Sequence, residues 1–108
     1  MAIAAKEKFK KLAVGAQLSV DYPRQGETID GVSYTFRISA PANVQKVEVA
    51  VDQGAWQPCR QSAGYWWFDW SGYDSGEHEI TSRLVTAGGK PIIAEPHEFF
   101  VSLEKRPA

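Results

Sequence analysis

Apolar and polar residues alternate along most of this sequence from residue 18 onward. Between Ser33 and Ala40, every second residue is large and apolar: Tyr34, Phe36 and Ile38. A period of two indicates a half-buried β-strand, because successive side chains of a strand point to opposite faces. Similar runs predict about seven strands, near residues 18–22, 33–40, 44–52, 56–60, 64–70, 77–86 and 92–101. With turn residues between them, the pattern predicts an all-β, immunoglobulin-like antiparallel β-sandwich.

The two ends of the chain do not follow this alternation. Residues 1–15 are rich in Ala, Lys, Glu and Leu, which favour helix, so a short N-terminal helix and an extended arm both remain open. Lysines interrupt this segment, so it lacks the continuous apolar region of a signal peptide. We assign residues 16–103 to the sandwich and 104–108 to a polar tail. No stretch is long enough to span a bilayer, and we expect no membrane partner.

Charge and cysteine content narrow the range of partners and compartments. The 108 residues carry a formal net charge of −1, which provides no long-range field for nucleic acid, so we expect no nucleic-acid partner. Cys59 is the single cysteine and excludes an internal disulfide. This favours a reducing, cytoplasmic location, although exported domains without disulfides leave the compartment open.

Residues suited to catalysis are few and are not arranged in motifs. His78, His97 and Cys59 are not part of a His-x-x-x-His or Cys-x-x-Cys spacing, so no local pattern indicates a metal site or an activated nucleophile. Gly88-Gly89-Lys90 lacks the longer glycine spacing of a phosphate loop and predicts a hairpin turn. We therefore expect a protein that is not an enzyme and that holds no metal or cofactor.

Aromatic residues are concentrated in the strand near residues 64–70, which contains three of the four tryptophans. Alternation places Trp66, Phe68 and Trp70 on one face and Tyr65 and Trp67 on the other. A sandwich needs large groups between its sheets, so the first set is predicted to fill the core. The second set then faces outward, where exposed rings favour contact with a partner.

These rings support two hypotheses about binding. In the first, the module makes protein–protein contacts, with an unidentified protein or with a second copy of itself. In the second, it binds a polysaccharide by stacking an α-glucan on Trp56 and Trp67. The candidate binding residues are Trp56, Tyr65, Trp67, Arg37 and Arg83.

The hairpin Val47-Glu48-Val49-Ala50-Val51-Asp52-Gln53-Gly54-Ala55-Trp56 carries a family resemblance, together with the tryptophan-rich strand, the run Gly76-Glu77-His78-Glu79-Ile80, and Arg83. This order resembles the C-terminal dimerisation domain of sulfite-oxidase-type molybdenum oxidoreductases, an early-set immunoglobulin-like domain. The resemblance implies pairing of sandwich domains. The cofactor-binding domain of that family has no counterpart in the sequence, so no redox activity is implied.

A second resemblance rests on Arg37, Ala40-Pro41, Trp56 and Gly76-Glu77-His78. These features are similar to those of early-set glycogen-binding modules, and they imply a sugar stacked on exposed tryptophan. That family has a second stacking tryptophan after an Asp-Gly turn, whereas this chain has Gly88-Gly89-Lys90-Pro91. A two-ring clamp would therefore require Trp67 or Tyr65 to replace that tryptophan.

Overall fold

A computed structural model describes residues 18–87 and 91–103 and contains ten β-strands in those ranges. In chain order the strands are β1 (Ser19–Tyr22), β2 (Thr28–Ile29), β3 (Ser33–Ser39), β4 (Lys46–Val51), β5 (Gln57–Pro58), β6 (Arg60–Ser62), β7 (Tyr65–Ser71), β8 (Gly76–Val85), β9 (Ile92–Ile93) and β10 (His97–Val101).

The strands form the two sheets of a sandwich. Sheet A has the order β1-β3-β7-β6, and sheet B has the order β2-β10-β8-β4-β5, with β9 beside β8. All pairings are antiparallel except that between β2 and β10, which is parallel. The predicted all-β sandwich is thus confirmed, with one short parallel pairing that the alternation pattern does not reveal.

The core lies between the two sheets and consists of the inward-facing residues of their strands. Phe36 and Ile38 of sheet A, and Val47, Val49 and Ile80 of sheet B, are completely buried. Each occupies an alternate position of its strand, as the period of two predicts. The buried side of β3, β4, β7 and β8 therefore agrees with the sequence, with the exception that Ala50, which alternation places on the outward side of β4, is also buried.

Two local features differ from the sequence-based expectation. The strand expected near residues 56–60 is divided at Cys59: β5 belongs to sheet B and β6 to sheet A. The glycine of Gln53-Gly54 predicts a hairpin turn centred on that pair. The observed turn is centred one residue earlier, because Gly54 N–H donates to the Val51 carbonyl oxygen at 2.9 Å. Asp52 and Gln53 adopt left-handed backbone angles, with φ of 52° and 63°.

Several expectations lie outside the described residues, namely the N-terminal helix or arm, the polar tail and the Gly88-Gly89 hairpin. Within residues 18–87 and 91–103, no helix has the length and apolar character needed to cross a membrane.

Candidate interaction surface

Strand β7 carries the aromatic residues and lies inside sheet A, between β3 and β6. The turn that precedes it has positive φ at both central residues, 54° at Ala63 and 82° at Gly64. These angles are those of a two-residue type I′ hairpin, which fixes the pairing register of the flanking strands. Trp66 therefore faces the core and is 6% exposed, whereas Tyr65 and Trp67 lie on the outer face. The side assigned to each of these rings from sequence agrees with the structure.

On the outer face of sheet A, the Arg37 guanidinium is held between two tyrosine rings. Its central carbon lies 4.8 Å from the centroid of Tyr22 and 4.1 Å from that of Tyr65. Its Nε donates to an Asp21 carboxylate oxygen at 3.1 Å, and the Ser39 hydroxyl donates to the same oxygen. The arginine is thus fixed by an ion pair and by two cation–π contacts.

Trp67 lies beside this stack, and its cross-strand neighbours are Arg37 on β3 and Arg60 on β6. Its indole N–H donates to the Ser62 carbonyl oxygen at 2.8 Å, which fixes the ring. The Trp67 and Tyr65 rings meet edge to face, with centroids 6.0 Å apart and planes 75° apart. The two rings therefore do not form a single flat platform.

An ion pair borders Trp67 on the side of β6. Arg60 donates to both carboxylate oxygens of Asp69, and the Thr35 hydroxyl donates to one of them at 2.8 Å. These hydrogen bonds from Arg60 and Thr35 lower the pKa of Asp69 below its ordinary value. The outer-face group of Tyr22, Arg37, Tyr65 and Trp67 is called the aromatic–arginine surface below. The Asp21–Arg37 and Arg60–Asp69 ion pairs lie at its sides.

The other two candidate residues lie on the outer face of sheet B. The Arg83 guanidinium lies 4.2 Å from the centroid of the Trp56 ring, and it bonds Glu48 at 2.7 and 2.8 Å. The hydrogen bond from Arg83 is the main reason that the pKa of Glu48 is lowered. Lys46 completes the group at 3.6 Å from the second Glu48 oxygen.

The structure thus divides the five predicted binding residues between two opposite surfaces. Tyr65, Trp67 and Arg37 lie together on sheet A, and Trp56 and Arg83 lie together on sheet B. Sequence reasoning missed Tyr22, which is 37% exposed. A register irregularity between Val20 and Tyr22 places it opposite Arg37, and simple alternation gives no signal for such an irregularity.

His78, which belongs to no sequence motif, connects two loops at one end of the sandwich. Its side chain is 11% exposed; Nδ1 lies 2.6 Å from an Asp52 carboxylate oxygen and Nε2 lies 2.7 Å from the Asp74 carbonyl oxygen. Both neighbours are acceptors, so the ring satisfies both only when it is doubly protonated. Burial alone lowers the pKa of His78, but the bonds to Asp52 and Asp74 outweigh burial and raise it overall.

An open cleft of about 330 Å³ lies beside His78 and is largely acidic. Its lining residues are Asp52, Gln53, Glu77, His78, Glu79, Glu98, Phe99 and Phe100. The Asp52 carboxylate is engaged within the fold, because it binds His78 and accepts the Glu79 backbone N–H at 2.9 Å. These bonds also hold Asp52 in its left-handed conformation.

Cys59 lies where the chain passes from sheet B to sheet A, and burial is the main reason that its thiol pKa is raised to about 12. The thiol is therefore protonated at neutral pH, and the thiolate is the reactive form of cysteine. Within residues 18–87 and 91–103, no three His, Cys, Asp or Glu side chains lie close enough together to hold a metal ion.

Neither protein-family models nor curated protein sequences match this chain. Solved structures do match its fold. A fibronectin(III)-like module of CbhA from Clostridium thermocellum superposes with a TM-score of 0.67 at 18% identity, over 82% of this chain and 99% of that one. An engineered protein superposes with a TM-score of 0.64 at 22% identity, over 80% of this chain and only 20% of that one.

CopC from Methylosinus trichosporium OB3b superposes with a TM-score of 0.60 at 11% identity, over 84% of this chain and 99% of the other. At these identities the likenesses show the fold alone. They support an immunoglobulin-like β-sandwich fold, and they do not show the narrower resemblance to the sulfite-oxidase dimerisation domain.

Proposed function

We propose that this chain is a non-catalytic binding module that contacts another protein through the aromatic–arginine surface of sheet A. The observation that supports this most directly is the Arg37 guanidinium, stacked between Tyr22 and Tyr65 and bonded to Asp21, next to Trp67. Trp, Tyr and Arg are the residues that contribute most to binding at protein interfaces.

Pre-organisation of these side chains supports the proposal. An exposed arginine or tryptophan ordinarily loses rotamer freedom when a partner binds, and this loss opposes association. Here Arg37 is fixed by its two rings and by Asp21, and Trp67 is fixed by its bond to Ser62. A partner would therefore meet side chains that are already ordered.

The charges of the surface favour short-range contact with a partner and provide little long-range electrostatic attraction. Arg37 pairs with Asp21 and Arg60 pairs with Asp69, so each positive charge is compensated nearby. Such a surface draws no partner from a distance but can form the core of an interface, where uncompensated charge is disfavoured.

The positions of the exposed aromatic rings favour a protein partner over a polysaccharide. Stacking an α-glucan on Trp56 and Trp67 would require both rings on one side, and they lie on opposite faces of the sandwich. Tyr65 does not replace the missing ring, because its plane is 75° from that of Trp67. Carbohydrate binding is therefore the second hypothesis, limited to one ring at a time.

A self-association experiment and a cross-linking experiment test the proposal. Sedimentation across a wide concentration range asks whether the partner is a second copy, the outcome implied by the resemblance to a dimerisation domain. A photo-reactive phenylalanine derivative at position 65, or at position 56 as the matched control, then reports which face meets a partner in the native host. We expect cross-links from position 65 that Arg37→Ala weakens.

Cross-links that form from position 56 and not from position 65 would contradict the proposal and move the interface to sheet B. A chain that stays monomeric, gives no cross-links and shows quenched tryptophan fluorescence with soluble glycogen would favour carbohydrate binding. In that case Trp67→Ala and Trp56→Ala identify the ring that stacks on the sugar.

A further inference from the structure

Sheet A has an incomplete edge beside the second half of β7, from Phe68 to Ser71. Strand β6 pairs only with Tyr65, Trp66 and Trp67, because the chain passes to the other sheet at Cys59. The Cys59 N–H donates to the Val47 carbonyl oxygen of β4 at 2.9 Å, which marks the crossing. Among the residues described by the structure, no strand pairs with β7 beyond Trp67 on this side.

The alternation of β7 determines which backbone groups point to this open edge. In a two-residue hairpin the residues that close the turn, here Ser62 and Tyr65, exchange both hydrogen bonds. The backbone N–H and C=O groups of Tyr65 and Trp67 therefore point toward β6, and those of Asp69 and Ser71 point the same way. Those of Phe68 and Trp70 point toward β3. Asp69 and Ser71 thus offer hydrogen-bonding groups that no strand of the described chain uses.

A notch of about 330 Å³ opens beside these groups. Its lining residues are Pro58, Cys59, Arg60, Trp67, Phe68 and Asp69. Phe68 and the protonated thiol of Cys59 give it an apolar interior, and the Arg60–Asp69 ion pair lies at its rim. The notch therefore has room for an apolar side chain next to an open row of backbone groups.

We propose that an extended segment of a partner protein adds to this edge of β7 as an antiparallel strand that continues the line of β6. Strand addition of this kind derives its affinity from backbone hydrogen bonds and its specificity from pockets for alternate side chains. The partner residue opposite Phe68 points into the notch and is apolar. The partner residue opposite Asp69 points outward, toward the Arg60–Asp69 ion pair, and is polar and uncharged, because a charge of either sign would meet a like charge of that pair.

The inference goes beyond the proposed function, because it concerns a backbone edge and would hold even if the aromatic–arginine surface bound nothing. It also defines the partner by pattern: an extended segment in which apolar residues alternate with polar, uncharged residues. Trp67 borders both regions, so one partner could occupy the edge and the surface together.

Backbone amide exchange of the isotopically labelled protein tests the inference, with the capped peptide Thr-Val-Thr-Val-Thr as the probe. At millimolar peptide, we expect exchange of the Asp69 and Ser71 amides to slow by roughly tenfold, because exchange requires the added strand to open. The Phe68 and Trp70 amides, already bonded to β3, serve as internal controls and should not change.

Two matched comparisons make the test specific to strand addition. N-methylation of the threonine amides removes the groups that bond β7 and should abolish protection, whereas N-methylation of the valine amides should leave it. Lys-Val-Lys-Val-Lys and Glu-Val-Glu-Val-Glu each bring a like charge beside Arg60 or Asp69, so both should protect less than the threonine peptide. Unchanged exchange at Asp69 and Ser71, equal binding of the two N-methylated peptides, or protection at a different edge would each overturn the inference.

Discussion

Individual side chains determine how the loops of this sandwich are held, and His78 is the clearest case. The ring lies against Phe99, with centroids 5.7 Å apart, and bonds Asp52 on one side and the Asp74 carbonyl on the other. It joins the loop after β4 to the loop before β8. The buried ring contributes most when it carries a proton, because both of its neighbours are acceptors.

This bonding predicts how stability depends on pH. Because the pKa of His78 is raised in the folded chain, its protonated ring contributes stability that is fully present below the unfolded pKa, near 6.5, and is lost as pH rises through the folded value. We expect His78→Asn to lower the free energy of unfolding by about 1.5–3 kcal/mol at pH 6, the usual contribution of a hydrogen bond to a charged group, and by less at pH 9. Urea unfolding at both pH values measures the difference.

Asp52→Asn is the control, because it removes the carboxylate while keeping a residue that tolerates the left-handed conformation. The free energy of unfolding of Asp52→Asn should lack most of the pH-dependent contribution that His78→Asn removes from the wild-type protein. Equal destabilisation by His78→Asn at pH 6 and pH 9 would contradict the role of the protonated ring.

A substitution in the turn after β4 is expected to raise the free energy of unfolding, whereas His78→Asn lowers it. Gln53 has a φ of 63°, a left-handed conformation that costs an ordinary side chain roughly 1–2 kcal/mol. Both central residues of this turn, Asp52 and Gln53, have positive φ, and Asp-Gly is a preferred pair for such a turn. Gln53→Gly should therefore stabilise the fold by about 0.5 kcal/mol after the entropy cost of glycine is subtracted. Thermal unfolding measures the gain. The matched control, Gln61→Gly in strand β6, should lower stability instead, and a loss in both variants would refute the explanation.

At the scale of elements, β7 separates core from surface by alternation alone. Trp66 and Trp67 are adjacent in sequence, yet Trp66 packs in the core while Trp67 lies between Arg37 and Arg60 on the outer face. The sequence predicts this division because the aromatic run has a period of two. The division at Cys59 between β5 and β6 is not predictable in this way, because Gln57, Pro58 and Arg60 have no apolar period.

The neighbouring tryptophans therefore form a matched pair for mutation. Trp66→Ala should destabilise the fold by about 3–5 kcal/mol, because it leaves a large cavity in the core. Trp67→Ala should cost about 1 kcal/mol, mainly through loss of the bond to the Ser62 carbonyl. Chemical denaturation measures both, and similar losses would show that the outer ring is as important to the fold as the inner one.

For the whole molecule, the two sheets share one hydrophobic core, to which both contribute completely buried residues. Phe36 of sheet A packs edge to face with Phe99 of sheet B, with centroids 5.5 Å apart. Each sheet therefore depends on the other for burial of its inner face, and neither is expected to be stable alone.

This dependence predicts cooperative unfolding. Tryptophan fluorescence and far-ultraviolet circular dichroism should report the same midpoint in urea, with a slope of roughly 1–2 kcal/mol per molar for a domain of this size. Two separate transitions would indicate that the sheets lose structure independently and would contradict a single core.

The sequence by itself determined the class of fold and the buried side of β3, β4, β7 and β8, because both follow from the period of apolar residues. It also identified Tyr65, Trp67 and Arg37 as surface candidates. Only the tertiary structure showed that Trp56 and Arg83 lie on the opposite face, that Tyr22 completes the stack around Arg37, and that the chain changes sheets at Cys59. These features depend on which strands become neighbours and on local register irregularities. Pairing between strands that are far apart in sequence does not change the local pattern of apolar residues.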